Sequence, residues 1–316
     1  MANFRKNSVD SKCYNITFRG EGSIDAGGPF RESLVNVANE LESGVVPILI
    51  KSPNNRNEHG INRDCYILDS RSNTPAHKVM FNYLGGFLAF SFLTKSPMPL
   101  NLAPWVWKQL LHEPVTLSDL EGIDNYSAQV LRDLQNHAQN LSDADFEAGV
   151  DQNFTTVLSC GDEVPICEGG EDKQVTKSNI NEFINLVIET RRQEAAEQVE
   201  AIREGFLKVI NNKTAILDFL DWSTFDSRCT GEKEVSIERL KSITSFPNNS
   251  SDHAIIERFW RVFEGFTNEE RMSYLKFVWG RCRLPIDLEN LSYKHQVRLM
   301  TDMNKRSFPQ AHTCFF

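Results

Sequence analysis

The sequence predicts a globular protein of two packed lobes built from helices and short strands. Three observations point there. The chain has 316 residues, where a single domain usually holds about 100–200. Apolar residues make up 40% and charged residues 24%, which permits a real core and excludes a collagen-like, low-complexity or wholly disordered chain. Stretches with helical apolar spacing are long, whereas the alternating, strand-like ones are short.

In chain order, Tyr14, Ile16 and Phe18 alternate with polar neighbours and predict a strand, followed by a glycine-rich turn (Gly20 to Gly28) and a helix over Phe30 to Leu41. Val45 to Lys51 and Cys65 to Leu68 predict short strands on either side of a polar loop, Ser52 to Arg63. The uncharged run Val79 to Thr94 spans only about 24 Å as a helix, short of a bilayer, and predicts a buried core helix rather than a membrane span. Trp105 to Leu111 predicts a helix with Pro104 at its entrance.

From Pro114 the chain turns acidic. A helix is expected near Tyr126 to Leu141, then strands at Phe154 to Leu158 and Val164 to Cys167. The EGGED turn (Glu168 to Asp172) is expected to close a hairpin between that second strand and Lys173 to Thr176. Thr176 or Ser178 then caps one long helix whose apolar residues run from Ile180 to Val209. The polar, glycine-containing Cys229 to Glu234 marks the lobe boundary. Beyond it Ile255 to Phe266 carries a helical stripe, and Thr267 with Glu270 forms a capping box for a helix that Gly280 ends. Gln296 to Met300 and His312 to Phe316 complete the reading as strands.

Composition also narrows function. A net charge of −9 and a pI near 5.4 argue against nucleic acid as the main ligand, since phosphate contacts need surplus Lys and Arg. Seven scattered cysteines without a C-x-x-C pair suit reduced thiols in a cytoplasmic or nuclear setting. The start lacks an apolar h-region, so no secretory signal is visible and the N-x-S/T sequons read as chance matches. No HExxH, zinc-spaced Cys/His set, P-loop, G-x-G-x-x-G or G-x-S-x-G occurs, which removes the usual handholds for metal hydrolysis, nucleotide binding and serine hydrolysis. No cofactor and no metal are expected. The segment F-P-Q-A-H-T-C-F-F (Phe308 to Phe316) sets Cys314 beside His312 and Thr313. Taken alone, such a cysteine is more often a buried, inert thiol than a nucleophile.

Its company changes that balance. Gly20 to Glu32 (GEGSIDAGGPFRE), Leu102 to Leu110 (LAPWVWKQL), Val115 to Leu120 (VTLSDL), Arg258 to Pro285 (RFWRVFEGFTNEERMSYLKFVWGRCRLP) and the terminal PQAHTCFF occur in that order. Together they resemble the HECT family of E3 ubiquitin ligases. The Thr94 to Pro104 stretch and the C-F-F ending look most like its large HERC-type members.

The resemblance implies an α+β, bilobal HECT fold: a mainly helical N-lobe over residues 1–230, a small E2-binding subdomain within it at 114–195, and a smaller α/β C-lobe over 235–316, incomplete at its C-terminus. It implies that Cys314 accepts ubiquitin from a charged E2 as a thioester and passes it to lysines of a protein substrate, with His312 and Thr313 in support. Transthiolation between two thioesters is close to isoenergetic and needs an accessible thiolate more than a strong acid or base. Phe183 and Val187 match positions of the E2 groove, with Leu131 and Leu134 on the opposite wall; ordinary core packing is the other reading of each. Val187 stands where some relatives carry an aromatic. Cys229 to Glu234 matches the hinge between lobes, and Arg283 with Pro285 a recurrent, structural C-lobe motif.

The sequence departs from the family pattern in stopping at Phe316, where members continue with further strand, helix and tail. The helix before the G-E-G segment also looks abbreviated, and upstream substrate-binding modules are absent. The alternative expectation is therefore a catalytically impaired fragment acting as an E2-binding or scaffold module. A thiol hydrolase using Cys314 with a histidine ranks third, for want of an Asn or Asp partner.

Overall fold

A computed structural model describes residues 14–17, 19–20, 27–247, 253–288, 294–298 and 308–311. Its elements in order are α1 (Gly28–Glu42), β1 (Leu49–Lys51), α2 (Pro53–Arg56), β2 (Tyr66–Leu68), α3 (Pro75–Thr94), α4 (Pro104–Leu110), α5 (Leu117–Glu121) and α6 (Asn125–Asn140). Then come α7 (Asp143–Gly149), β3 (Thr155–Val157), β4 (Glu163–Pro165), α8 (Ile180–Gln193), α9 (Ala196–Val209) and a 3-10 turn at Thr214–Phe219. The chain continues with α10 (Trp222–Thr230), α11 (Ile237–Ile243), β5 (Thr244–Ser245), α12 (His253–Glu264), α13 (Asn268–Trp279) and β6 (His295–Gln296). The protein is α+β, with helices carrying the mass and, among the described residues, three two-stranded sheets: β1–β2 and β3–β4 antiparallel, β5–β6 parallel.

The chain divides into two compact units, one of residues 1–39, 87–100 and 226–316, the other of residues 40–86 and 101–225. In the second unit, α3 and α9 approach backbone to backbone. A methyl group on Gly85 would lie 1.9 Å from the Ile202 carbonyl oxygen, and one on Gly205 would lie 1.9 Å from that of Asn82. Only glycine permits that crossing. Next to it Phe225 receives the edges of Trp107 and Phe206, with ring centroids 5.4 and 5.1 Å away, and the Trp107 indole N–H donates to the Leu102 carbonyl at 3.2 Å. Buried tryptophan thus meets both its apolar and its polar requirement.

In the first unit the core of the 235–288 segment is aromatic. Trp260, Phe263, Leu275 and Trp279 are buried with Val235, Leu240, Ile243 and Leu284. α12 supplies Phe259, Trp260 and Phe263, and Tyr274 of α13 closes onto Phe263 at 5.1 Å. The capping box of Thr267 and Glu270 forms as expected, and Gly280 ends α13 in the left-handed region at φ 67°.

Several expectations are corrected. Residues 14–17 form no strand; Tyr14 packs its ring on Phe30, Phe87 and Phe90 and its hydroxyl meets Ser33 Oγ at 3.0 Å. That alternation serves side-chain anchoring, and Phe18 lies outside the described residues. The long helix is two helices. Ala195, at φ −126°, interrupts the ladder where Glu194 turns its carboxylate to the Ser159 N–H at 2.9 Å. β4 pairs with β3, not with Lys173 to Thr176, whose strand-like part instead bonds to residues 152–154 through Phe154 N–H to Lys173 O and Val175 N–H to Gln152 O, both 2.8 Å. The expected Val45 to Lys51 strand shortens to its last three residues. α2, α5 and α7 went unpredicted because four to seven residues cannot display a helical period. The run at Val79 to Thr94 lies in α3 with Phe81, Leu84, Leu88 and Ala89 buried. Among the described residues, no helix is long and apolar enough to cross a membrane.

Candidate functional site

Cys314, His312 and Thr313 lie outside the described residues, as does the strand expected at His312 to Phe316. The chain is described up to Ala311, which follows the exposed Phe308. The four residues expected at an E2 groove are described, and all four are buried. Phe183 of α8 is 2% exposed and meets Phe154 edge-on at 5.4 Å; the Lys173 ammonium sits 3.8 Å from the Phe154 ring centroid. Val187 lies one turn further on the same buried stripe of α8, while Leu131 and Leu134 lie on the buried stripe of α6. Exposed apolar side chains of this subdomain include Tyr126, Val130, Leu141 and Val157.

A residue that sequence reasoning missed organises the subdomain. Arg191 falls on the apolar stripe of α8, after Ile180, Ile184 and Val187, and its side chain is wholly buried. One guanidinium nitrogen donates to Asp124 Oδ2 at 3.0 Å and another to Ser159 Oγ at 3.0 Å, while Nε faces Glu194 at 3.4 Å. Asp124 is itself the N-cap of α6, accepting from the Ser127 N–H. Arg56 of α2 donates to the Ser159 carbonyl at 2.8 Å. One cation therefore fixes the start of α6, the turn after β3 and the end of α8. Its signal was a charge at the i+4 step of an apolar stripe, where burial demands paired partners.

In the first unit a second polar cluster holds β6. Thr244 Oγ1 donates to the Leu240 carbonyl and lies 2.8 Å from His295 Nδ1. Because the hydroxyl proton is committed to Leu240, the imidazole Nδ1–H is the donor to Thr244. Nε2 is then the acceptor for the Tyr274 hydroxyl, 2.9 Å away. Burial pushes the imidazole pKa down from 6.5 to about 4, and raises the Tyr274 phenol, so both rings are neutral near pH 7.

The consequence for stability has a definite sign. As pH falls below 6.5 the unfolded chain takes up a proton before the folded one, so this clasp is fully stabilising above pH 6.5. It is lost progressively down to about pH 4, by roughly 3 kcal/mol. Urea midpoints measured across that window should fall for the native chain, and a His295→Gln variant should lack this part of the slope. Parallel profiles for the two proteins would contradict the assignment.

The expected hinge is tightly held. Cys229 and Thr230 end α10 and are buried, burial raising the Cys229 thiol pKa well above its ordinary value. Gly231 follows at φ 76°, and the Glu232 N–H donates to the Leu284 carbonyl at 2.9 Å. Arg283, also buried, donates to the Thr230 carbonyl at 3.4 Å. Arg239 binds Glu232 and the carbonyls of Pro285 and Ile286, so Arg283 and Pro285 work within the 230–286 framework. The described cysteines, Cys65, Cys160, Cys167, Cys229 and Cys282, are in the thiol form.

The family model for the HECT-domain (ubiquitin-transferase) matches residues 40–316. The chain is 33% identical over 308 residues to the E3 ubiquitin-protein ligase HERC2 of Homo sapiens, an alignment covering 96% of this chain and 6% of that protein. It is 26% identical to the E3 ubiquitin-protein ligase HUWE1 of Mus musculus, covering 95% of this chain and 7% of that one. With the E3 ubiquitin-protein ligase TOM1 of Saccharomyces cerevisiae it shares 24% identity over 95% of its length and 9% of the relative's. The chain thus spans a small fraction of the length of these relatives.

Proposed function

The chain belongs to the HECT-domain family of ubiquitin transferases, and from that membership we propose that it is an E3 ubiquitin-protein transferase working through Cys314. The observation that carries this reading is that the family match runs to residue 316 and so includes the H-T-C segment. In the first step the Cys314 thiolate attacks the carbonyl of the E2–ubiquitin thioester, the new C–S bond forms, and the E2 cysteine leaves as thiolate. In the second, a substrate lysine amine attacks the Cys314 thioester. An isopeptide bond forms, the amine loses its proton, and Cys314 returns as free thiol. Positioning supplies the rate, with His312 and Thr313, which precede Cys314 in the chain, as supporting residues.

Residues 1–230 are read as the N-lobe, 114–195 as the E2-docking subdomain and 235–316 as the C-lobe. Within the subdomain Phe183, Val187, Leu131 and Leu134 act from the interior, setting the α6 and α8 surfaces that a partner meets. Exposed Tyr126, Val130, Leu141 and Val157 supply apolar area to cover. A reducing compartment, cytosol or nucleus, keeps the reacting thiol available.

The test is incubation with E1, E2, ATP and ubiquitin. The native chain should yield a reductant-sensitive ubiquitin adduct that Cys314→Ala abolishes. An adduct of equal yield in that variant would overturn the assignment of the residue. E2 binding without any adduct would favour a scaffold module instead.

A further inference from the structure

We infer that the exposed face of α6, with the carboxylates beside it, selects its E2 by charge: the partner it fits presents Lys and Arg around an apolar contact. This rests on the reading above that the 114–195 subdomain docks the E2, and it adds the surface chemistry which that partner must carry.

The charge of the chain is unevenly placed. Residues 114–195 hold sixteen Asp and Glu against five Lys and Arg, whereas the rest of the chain holds 27 against 29. The acidic excess of the protein therefore sits in this one subdomain. Its five cations are spent internally. Arg132 pairs with Glu121, Lys173 with Glu182, Lys177 with Asp143 and Arg192 with Glu189, while Arg191 is buried between Asp124 and Glu194. Lys108 takes Asp119. Nine carboxylates of the subdomain remain, all exposed and none in an ion pair among the described residues.

α6 presents the contact. Ala128, Leu131 and Leu134 are buried on one side of it. Tyr126, Val130 and Asp133 follow at steps of four and three residues on the other, Tyr126 being 74% exposed and Val130 36%. Leu141, also exposed, is the C-cap of the helix. α7 begins at Asp143, and its Glu147 and the following Asp151 are exposed. Lys177, a cation near this end of α6, is engaged by the Leu141 carbonyl at 2.7 Å and by Asp143 at 3.3 Å. The face is thus apolar with an acidic surround. In 0.15 M salt its field extends about 8 Å, enough to orient an approaching cationic surface before contact. The apolar side chains then hold the complex, while the carboxylates set the rate of encounter and repel acidic partners.

The test measures association of the chain with an E2 whose surface is rich in Lys and Arg, carrying no ubiquitin, and with a second E2 of acidic surface. At low ionic strength the basic E2 should associate about tenfold faster than the acidic one, and added salt should narrow the gap. The triple variant Asp133→Asn, Glu147→Gln, Asp151→Asn should slow association of the basic E2 about three- to tenfold, with dissociation within about twofold of native. An equal change of charge elsewhere, Glu197→Gln, Glu204→Gln and Asp218→Asn, removes three exposed carboxylates outside the subdomain and should leave the rate as it is. Equal rates for the native chain and the first variant would overturn the inference. So would the same slowing in the second variant, since net charge alone would then be responsible, and so would failure of the chain to bind either E2. The Cys314 adduct of the native chain is read separately. Equal rates with that adduct present remove the charge selection and keep the transfer reading, whereas salt-sensitive binding without an adduct does the reverse.

Discussion

An Arg191→Met variant is expected to lose about 3–5 kcal/mol of stability, the cost of stranding buried carboxylates whose cation has been removed. Asp124 and Glu194 are both nearly buried, and neither can recover water without opening the subdomain. Asp124 keeps its cap on Ser127 and Glu194 keeps the Ser159 N–H, so the fold is expected to survive at low temperature with a strongly reduced urea midpoint. Arg191→Lys should fall between, because an ammonium retains the charge but cannot reach Asp124 and Ser159 together with a planar fork. A loss below about 1 kcal/mol in Arg191→Met would mean that solvent already reaches the site. The variant also bears on function, since the same cation ties together three parts of the subdomain proposed to dock the E2.

Gly85→Ala is expected to cost roughly 2 kcal/mol net, an overpacking cost of about 3 kcal/mol at the helix crossing outweighing the ~1 kcal/mol that alanine gains over glycine inside a helix. The opposing atom at 1.9 Å is a backbone carbonyl of α9, which cannot rotate aside as a side-chain end would. Gly205→Ala meets the Asn82 carbonyl at the same distance and should behave alike. Gly86→Ala is the internal control. Its methyl group would meet only Val209 Cγ2 at an ordinary 3.8 Å, so it should be neutral or stabilising by up to about 1 kcal/mol. Thermal unfolding of the three variants separates the cases, and similar midpoints for Gly85→Ala and Gly86→Ala would contradict the backbone crossing.

These two effects mark where the sequence was legible and where it was not. The local signals translated directly: the apolar periods of α1, α6 and α12, and the capping box and glycine stop of α13, are properties of neighbouring residues. The α8–α9 break was hidden because the apolar period continues across it; what breaks the helix is Glu194 turning to Ser159, a partner 35 residues away. The same holds for the β3–β4 pairing, where composition marked both strands but not which neighbour each would take. Arg191 could be noticed as a charge in an apolar stripe, yet its partners came from other parts of the chain. The Gly85–Gly86 pair is visible in the sequence, but the helix that faces it is not. The ion pair of Lys95 with Asp287, separated by 192 residues, left no trace in either local sequence. As for the site, the motif order pointed to the family and to Cys314, whereas the burial of Phe183, Val187, Leu131 and Leu134 could be decided only by packing.

The central claim is that the sulfur of Cys314 carries ubiquitin, and replacing that one atom tests it most directly. In the presence of E1, charged E2 and ubiquitin, the native chain should form an adduct that thiol reductant removes. Cys314→Ser should form, more slowly, an adduct that resists reductant and is cleaved by alkali, because an oxygen nucleophile leaves an ester in place of a thioester. Peptide mass spectrometry should place both linkages at residue 314. A Cys314→Ser protein that still forms a reductant-sensitive adduct would show that another of the cysteines accepts ubiquitin, and would contradict the account.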